Sequence, residues 1–152
     1  MRLSKKVSTG GSDYESSELL SQYLLLHFAE DHVVFPFKEG PREALAFPKR
    51  CAELMVKTAH EIGIPLNSAL DIGCAVGGAV FHLSEHFEKV VGVDLSGSFI
   101  GAANLLKEDG EIAFERRDQG ELRTRLTVRR PQNSNSQRIH FAEGDACKLS
   151  QE

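Results

Sequence analysis

At 152 residues and 41% hydrophobic content, the chain is long enough for one domain with a buried core. Its formal net charge of -4 is spread over both signs without a basic stripe, so nucleic acid is not an expected partner. The basic start MRLSKKVSTGG has no apolar run behind it, so neither a secretory signal nor a membrane anchor is expected, and Cys51, Cys74 and Cys147, with no Cys-x-x-Cys pair, suit a reducing, cytoplasmic compartment.

In chain order, residues 1–11 read as a disordered leader and 12–66 as a helical cap. Ser12 and Glu15 stand in capping-box spacing before Leu19, Leu20, Tyr23, Leu24 and Phe28, which predicts a first helix ending near His27. A link, DHVVFPFKEG, leads to Pro41, an early helical residue. Pro48 then restarts the chain into a second run whose apolar face is Cys51, Leu54, Met55, Ala59 and Ile62, and Gly63 ends it. Residues 67–110 form a strand, glycine turn, helix and second strand, after which Ser96 caps a helix burying Phe99, Ile100, Ala103 and Leu106. Across residues 111–137, IAFERR and LRTRLTV predict a β-hairpin joined at DQG and followed by the loop PQNSNSQ. Residues 138–152 hold a third short strand that runs into an acidic loop.

Strands alternating with helices predict a parallel sheet, which takes its ligand at the carboxyl ends of its strands. Asp71, Gly73, Cys74, Ala75 and Gly77 lie at the first such end, where glycine lets the backbone turn and lets a ligand approach the amides. Asp94 ends the next strand, at a spacing suited to a ribose hydroxyl pair. A dinucleotide reading needs Gly73, Ala75 and Gly78 to serve as G-x-A-x-x-G, a poor fit at the middle position, and Asp71 would sit beside a dianion. A cationic or zwitterionic ligand suits two acids better, and S-adenosylmethionine is the expected one. The alternative is a turn that only packs helix on strand.

D-I-G-C-A-V-G followed by V-G-V-D-L-S resembles motif I and post-I of class I S-adenosylmethionine-dependent methyltransferases. The blocks YESSELLSQYLLLHFAE, PFKEGPREALAFPKRCAEL, ALDIGCAVGGAVFHLSEHF, GVDLSGSFIGAANLLKEDG and FAEGDACKL, with the hairpin FERRDQGELRTRLTVRRP, together resemble the C-terminal methyltransferase domain of ovothiol synthases. The resemblance covers the chain from Tyr14 onward. It implies an α/β, Rossmann-like fold with Asp71, Gly73 and Gly77 around the methionine part, Asp94 on the ribose, Leu95 beside the adenine, and Asp145 with Ala146 at the adenine's polar edge, with Cys74, Ala75 and Ser96 as further cofactor-binding residues. The implied reaction is methyl transfer to an imidazole nitrogen of a thiohistidine-type small molecule. Such a transfer needs orientation and desolvation rather than acid–base chemistry, and no general base is named.

The family's fold has about seven strands, of which three are expected here together with the cap and hairpin. The first strand should then be an unpaired apolar edge, open to a partner chain by strand addition. The expectations are a truncated, weak enzyme or a non-catalytic interaction fragment. His82, Glu85 and His86 spell H-x-x-E-H, a zinc-protease pattern, but Val80, Leu83 and Phe87 take the buried stripe, which turns the motif toward solvent, and no metal is expected. Cys74 reads as a packed small residue, with a reactive thiol as the alternative. Tyr14, Arg42 and Arg50 are candidates near a cofactor carboxylate, and Phe35, Pro36 and Phe37 form either a lid or an interhelical staple. The arginines of the hairpin, offset by acids, read as a solvated face.

Overall fold

A computed structural model describes residues 16–40 and 42–148; the leader, Ser12, Tyr14, Glu15 and Pro41 lie outside them. Helix α1, Ser17–Phe28, is capped by Ser16, whose Oγ accepts the Leu19 amide at 3.1 Å. Its inner side buries Ser21, Leu24 and Leu25. The predicted link contains a single helical turn, α2, Asp31–Val34, and a 3-10 turn at Arg42–Ala44 precedes α3, Phe47–Ile62. Pro48 occupies the first turn of α3, where its missing N–H leaves no bond unmade, and Gly63 ends the helix in the left-handed region, at φ 72°.

The face of α3 requires a correction. Pro48, Ala52, Val56 and Ala59 are buried, whereas Cys51, Leu54, Met55 and Ile62 are exposed, so of the predicted stripe only Ala59 turns inward. The residues that do pack are small, and they let α3 lie close against α4. The larger apolar side chains point the other way.

Strand β1, Ser68–Ile72, leads through the glycine turn into α4, Gly78–Leu83. Strand β2, Lys89–Asp94, leads into α5, Gly97–Asp109, whose buried set of Phe99, Ile100, Ala102, Ala103 and Leu106 contains all four predicted residues. The hairpin, β3 Glu111–Gln119 with β4 Leu122–Arg129, stands where alternation predicts it, and β5, Ile139–Glu143, follows. The main sheet has the order β1-β2-β5 with both pairings parallel, a Rossmann-like α/β arrangement.

The two faces of this sheet differ. Ala69, Val90, Gly92, Ile139 and Phe141 lie on the side covered by helices, where Val80, Phe81, Val90 and Leu106 are fully buried. Gly92 is needed for that contact, since a Cβ there would approach a Val80 methyl to 2.8 Å. The opposite face carries Leu70 and Ile72, each about half exposed, in register with Val91 and Val93. Among the described residues β1 pairs only with β2, so its outer edge is unpaired as expected.

The hairpin is docked against the cap. Ile112 and Phe114 pack on the core and Val128 is buried in it, Arg117 meets Glu18 of α1 at 3.2 Å, and Arg116 donates to the Val33 carbonyl at 3.4 Å. Arg129 pairs with Glu111 across the strands at 2.9 Å. Several of its arginines therefore fasten the structure. Among the described residues no helix is long and apolar enough to cross a membrane.

Candidate functional site

The parallel strands end in carboxylates. Asp71 closes β1 one residue before its last position, Asp94 is the last residue of β2, and Glu143 is the last residue of β5, in register with Asp94. Like charges gathered at one end of a sheet repel unless a cation or hydrogen-bond donors answer them. Burial, and then the charge of Asp94, raise the Asp71 pKa above the ordinary carboxylate range. No hydrogen bond reaches the Asp71 carboxylate among the described residues. It is the acid at this end best placed to gain from a cationic ligand.

Asp94 is already engaged. Its Oδ2 accepts the Ala75 amide at 2.8 Å and its Oδ1 accepts the Ser96 amide at 2.9 Å. It therefore shapes the glycine turn and the start of α5. The rest of the turn is bound as tightly, since the Val93 carbonyl accepts from Gly73 and Cys74 at 2.7 and 3.1 Å, and the Cys74 carbonyl accepts from Gly77 at 2.9 Å. Gly73 at φ 79°, Ala75 at φ 48° and Gly77 at φ 86° are all left-handed, a conformation that costs Ala75 about 1–2 kcal/mol. At Gly77 a Cβ would also press on the Phe141 ring, at 2.5 Å. At Gly73 it would meet nothing within 4 Å, so the backbone there is open to a ligand.

Cys74 is only 2% exposed and faces the sheet, with its Sγ near Gly92. Burial and then the nearby Asp71 and Asp94 charges push its thiol far above the ordinary range, so it is a packed residue and no nucleophile. Leu95 follows Asp94 with 70% of its surface exposed. Ser96 caps α5 by accepting the Phe99 amide at 3.2 Å. The Gly144 amide donates to the Asp94 carbonyl at 2.9 Å and so ties the loop after β5 to the same site. Asp145 turns back on its own chain, accepting from the Cys147 amide at 2.9 Å and pairing with Lys148 at 3.1 Å; these donors, the amide first, lower its pKa. Ala146 opens the 3-10 turn Ala146–Lys148 and is exposed.

Other candidates lie apart from this cluster. Arg42 donates to the Phe37 carbonyl at 3.2 Å, Arg50 is exposed on α3, and Phe35 and Phe37 pack edge to face on each other. Of the His82 motif, His86 is exposed as expected, but His82 and Glu85 are not turned to solvent. His82 and Glu85 keep only 19% and 22% of their side chains exposed, pair at 3.2 Å, and line a polar cavity of about 420 Å³ with Lys49, Glu53 and Asn133. Burial lowers the His82 pKa, partly offset by Glu85. The reason for the change is that Lys49, Ala52 and Glu53 of α3 and the loop at Pro131 to Asn133 stand over this side of α4. Among the described residues no three His, Cys, Asp or Glu side chains converge as a metal set.

One residue beside these, His27, is not legible in the sequence, and Glu143 enters the sequence reading only within the block FAEGDACKL. His27 accepts the Gly78 amide at 3.0 Å on its Nδ1 from another helix, and a lone histidine in an amphipathic pattern carries no sign of that. The Glu143 carboxylate overhangs Gly97, where a Cβ would approach its Oε2 to 2.9 Å. For Glu143 a signal exists, because strand ends in register place it beside Asp94 once the parallel order is drawn.

No protein-family profile matches the chain. A curated relative, tRNA (uracil-5-)-methyltransferase homolog B of Danio rerio, is 32% identical over 81 residues, which is 49% of this chain. The match spans 17% of that relative's length. The crystal structure of magnesium protoporphyrin IX methyltransferase from Synechocystis PCC 6803 with bound S-adenosylmethionine aligns with 67% of this chain and 50% of its own, at a TM-score of 0.36 and 16% identity.

Proposed function

We propose that the chain binds S-adenosylmethionine at the carboxyl ends of β1 and β2 and is the cofactor-holding part of a class I methyltransferase. The observation that carries this reading is the pairing of a closed loop with an acid, Asp71, that accepts no hydrogen bond among the described residues. The amides of Gly73, Cys74, Ala75, Gly77 and Gly78 already have acceptors within the protein, so they are not a free cradle for a pyrophosphate. Asp71 and Asp94 meanwhile present negative charge, which favours a ligand carrying an ammonium and a sulfonium. Open backbone at Gly73 and the exposed Leu95 fit the methionine and adenine parts respectively.

When bound, the cofactor would supply an activated methyl group on a positively charged sulfur. The chain's own work is positional. Asp71 holds cationic charge, Asp94 keeps the turn rigid through Ala75 and Ser96, and Leu95 offers an apolar wall.

The acceptor we propose is the imidazole nitrogen of a thiohistidine-type small molecule, supported by the sequence blocks that resemble ovothiol synthase. The Danio rerio relative is named for tRNA uracil, a different acceptor class. Three cysteines without a disulfide among them suit a cytoplasmic setting. A second reading, a non-catalytic interaction piece, is favoured by one feature: the unpaired edge of β1 beside an apolar groove of about 530 Å³ lined by Leu54, Met55, Ile62, Ile64 and Leu70.

Calorimetric titration with S-adenosylhomocysteine, beside NADH, tests the cofactor. Saturable binding of the first alone is expected, and tighter binding of NADH by folded protein would defeat the reading. Methyl transfer from labelled cofactor to a thiohistidine, with a uridine-containing RNA as the rival acceptor, separates the two acceptor classes.

A further inference from the structure

Helix α1 lies across the starts of the two helices that begin at the strand ends. Tyr23 packs at a tilt against Phe99 in the first turn of α5, with ring centroids 4.7 Å apart, and Phe28 meets Phe81 of α4 edge to face at 5.7 Å. Between them, His27 receives the Gly78 N–H on Nδ1 at 3.0 Å. Gly78 is the first residue of α4, and an amide in the first turn of a helix has no partner within that helix. The approach is so close that a Cβ at position 78 would stand 2.6 Å from Nδ1 and 3.0 Å from the ring's Cγ. Glycine at 78 and histidine at 27 thus form one fitted contact.

The opposite end of the turn is held from the sheet. Val93 and Asp94 accept from Gly73, Cys74 and Ala75, which fixes the part nearest β1. Of the three left-handed residues, Gly73 and Ala75 belong to that anchor, and Gly77 lies between it and Gly78. A turn that contains a strained alanine keeps its shape only if both ends are held. His27 is the side chain that holds the second end.

We infer that His27 is a positioning residue for the glycine turn, coupling the seating of α1 on the domain to the loop shape that a ligand meets. The inference rests on the cofactor reading above for its consequence, but not for its geometry. Because coupling between two sites is reciprocal, a ligand that needs this loop shape also tightens α1 on α4. The ring is neutral at physiological pH, since burial lowers its pKa to about 4, so Nδ1 keeps the lone pair that the amide requires.

The test uses His27→Asn, whose side-chain oxygen sits near the position of Nδ1 and accepts the same amide, and His27→Leu, which fills the space without an acceptor. Leu106→Val, a core change in α5, serves as a destabilised control. In wild type, a through-hydrogen-bond nitrogen–nitrogen coupling between Gly78 and His27 Nδ1 is expected by NMR. Amide exchange across residues 73–77, measured without ligand, should accelerate in His27→Leu and stay near wild type in His27→Asn and Leu106→Val. S-adenosylhomocysteine affinity should fall about tenfold in His27→Leu, the loss of one hydrogen bond's worth of preorganisation, and remain within about threefold in His27→Asn. Unchanged loop exchange in His27→Leu overturns the inference whatever the ligand does, as does an Asn variant no better than Leu. If folded wild type binds no S-adenosylhomocysteine while the loop responses hold, the cofactor reading falls and the positioning role stands.

Discussion

Helices α5 and α3 have similar sequence signatures and different fates. Both show apolar residues at helical spacing, and both end on a glycine in the left-handed region, Gly110 and Gly63. In α5 the predicted stripe is the buried one, because the sheet and hairpin lie under it. In α3 the larger side chains, Leu54, Met55 and Ile62, face outward over the free edge of β1, and the small residues Ala52, Val56 and Ala59 make the contact with α4. Periodicity reports which residues share a face. Whether anything lies opposite that face is a property of the whole sheet.

The comparison is tested most severely by truncating buried side chains on the α4 and α5 side. Phe81→Ala should cost about 3–5 kcal/mol and Leu106→Ala about 2–5 kcal/mol, read from urea unfolding midpoints at unchanged m-value. Both residues are fully buried in the helix-covered core. A loss below 1 kcal/mol at either would mean that this face is not the true core, and the contrast with α3 would collapse.

A second effect of nearly that size is expected from acid. His27 has its folded pKa lowered by burial to about 4, against an ordinary value of 6.5. The unfolded chain therefore binds the additional proton between those values, so the neutral ring's contribution is intact above pH 6.5 and is lost progressively as pH falls toward 4. A shift of that size corresponds to about 3 kcal/mol. Among the described residues the ring meets Tyr23, Phe28 and the Gly78 amide, none of which can compensate a charge on it. His27→Asn should flatten this part of the stability profile, whereas the His82 contribution, also depressed by burial, remains in both proteins. A wild-type and variant pair with parallel profiles from pH 7 to pH 4 would refute the assignment.

At the site the cleanest probe is Asp71→Asn. Asp94→Ala is ambiguous, because it deletes the acceptor of the Ala75 and Ser96 amides together with the charge. Asp71 accepts no such bond, and burial with the Asp94 charge raises its pKa. A group with its folded pKa raised is a net cost to folding at neutral pH, so Asp71→Asn should leave thermal stability unchanged or higher. Affinity for S-adenosylhomocysteine, which keeps the ammonium, should nevertheless fall about tenfold, or about 1.4 kcal/mol. Affinity lost without stability is the pattern expected of a ligand-holding acid. Equal binding would remove Asp71 from the site.

Much of this arrangement is legible in the sequence because it is local. Apolar spacing locates α5, two-residue alternation locates the hairpin, and the glycines with Asp71 and Asp94 mark the crevice through rules that act within about 25 residues. What is not legible depends on distant packing. The outward turn of α3 follows from which strands flank β1, and the clamp by His27 joins residues 51 apart. The burial of His82 and Glu85 follows from the cover that α3 and the loop after the hairpin supply, elements distant in sequence. Ser16 takes the N-cap of α1 through its own hydroxyl, a choice that capping-box spacing further upstream obscured.

The smallest expected effect is the most informative about α3. Leu54 and Ile62 are each 64% exposed, so replacing both with lysine removes little buried surface and creates no cavity. The double variant should change unfolding free energy by no more than about 0.5 kcal/mol in dilute, monomeric protein. On a helix whose outer face only meets water, lysine also covers apolar surface with its stem while keeping its charge solvated. A loss of several kcal/mol that grows with protein concentration would show that the face is occupied in solution, and α3 would then resemble α5 in burying its large side chains against a partner of its own.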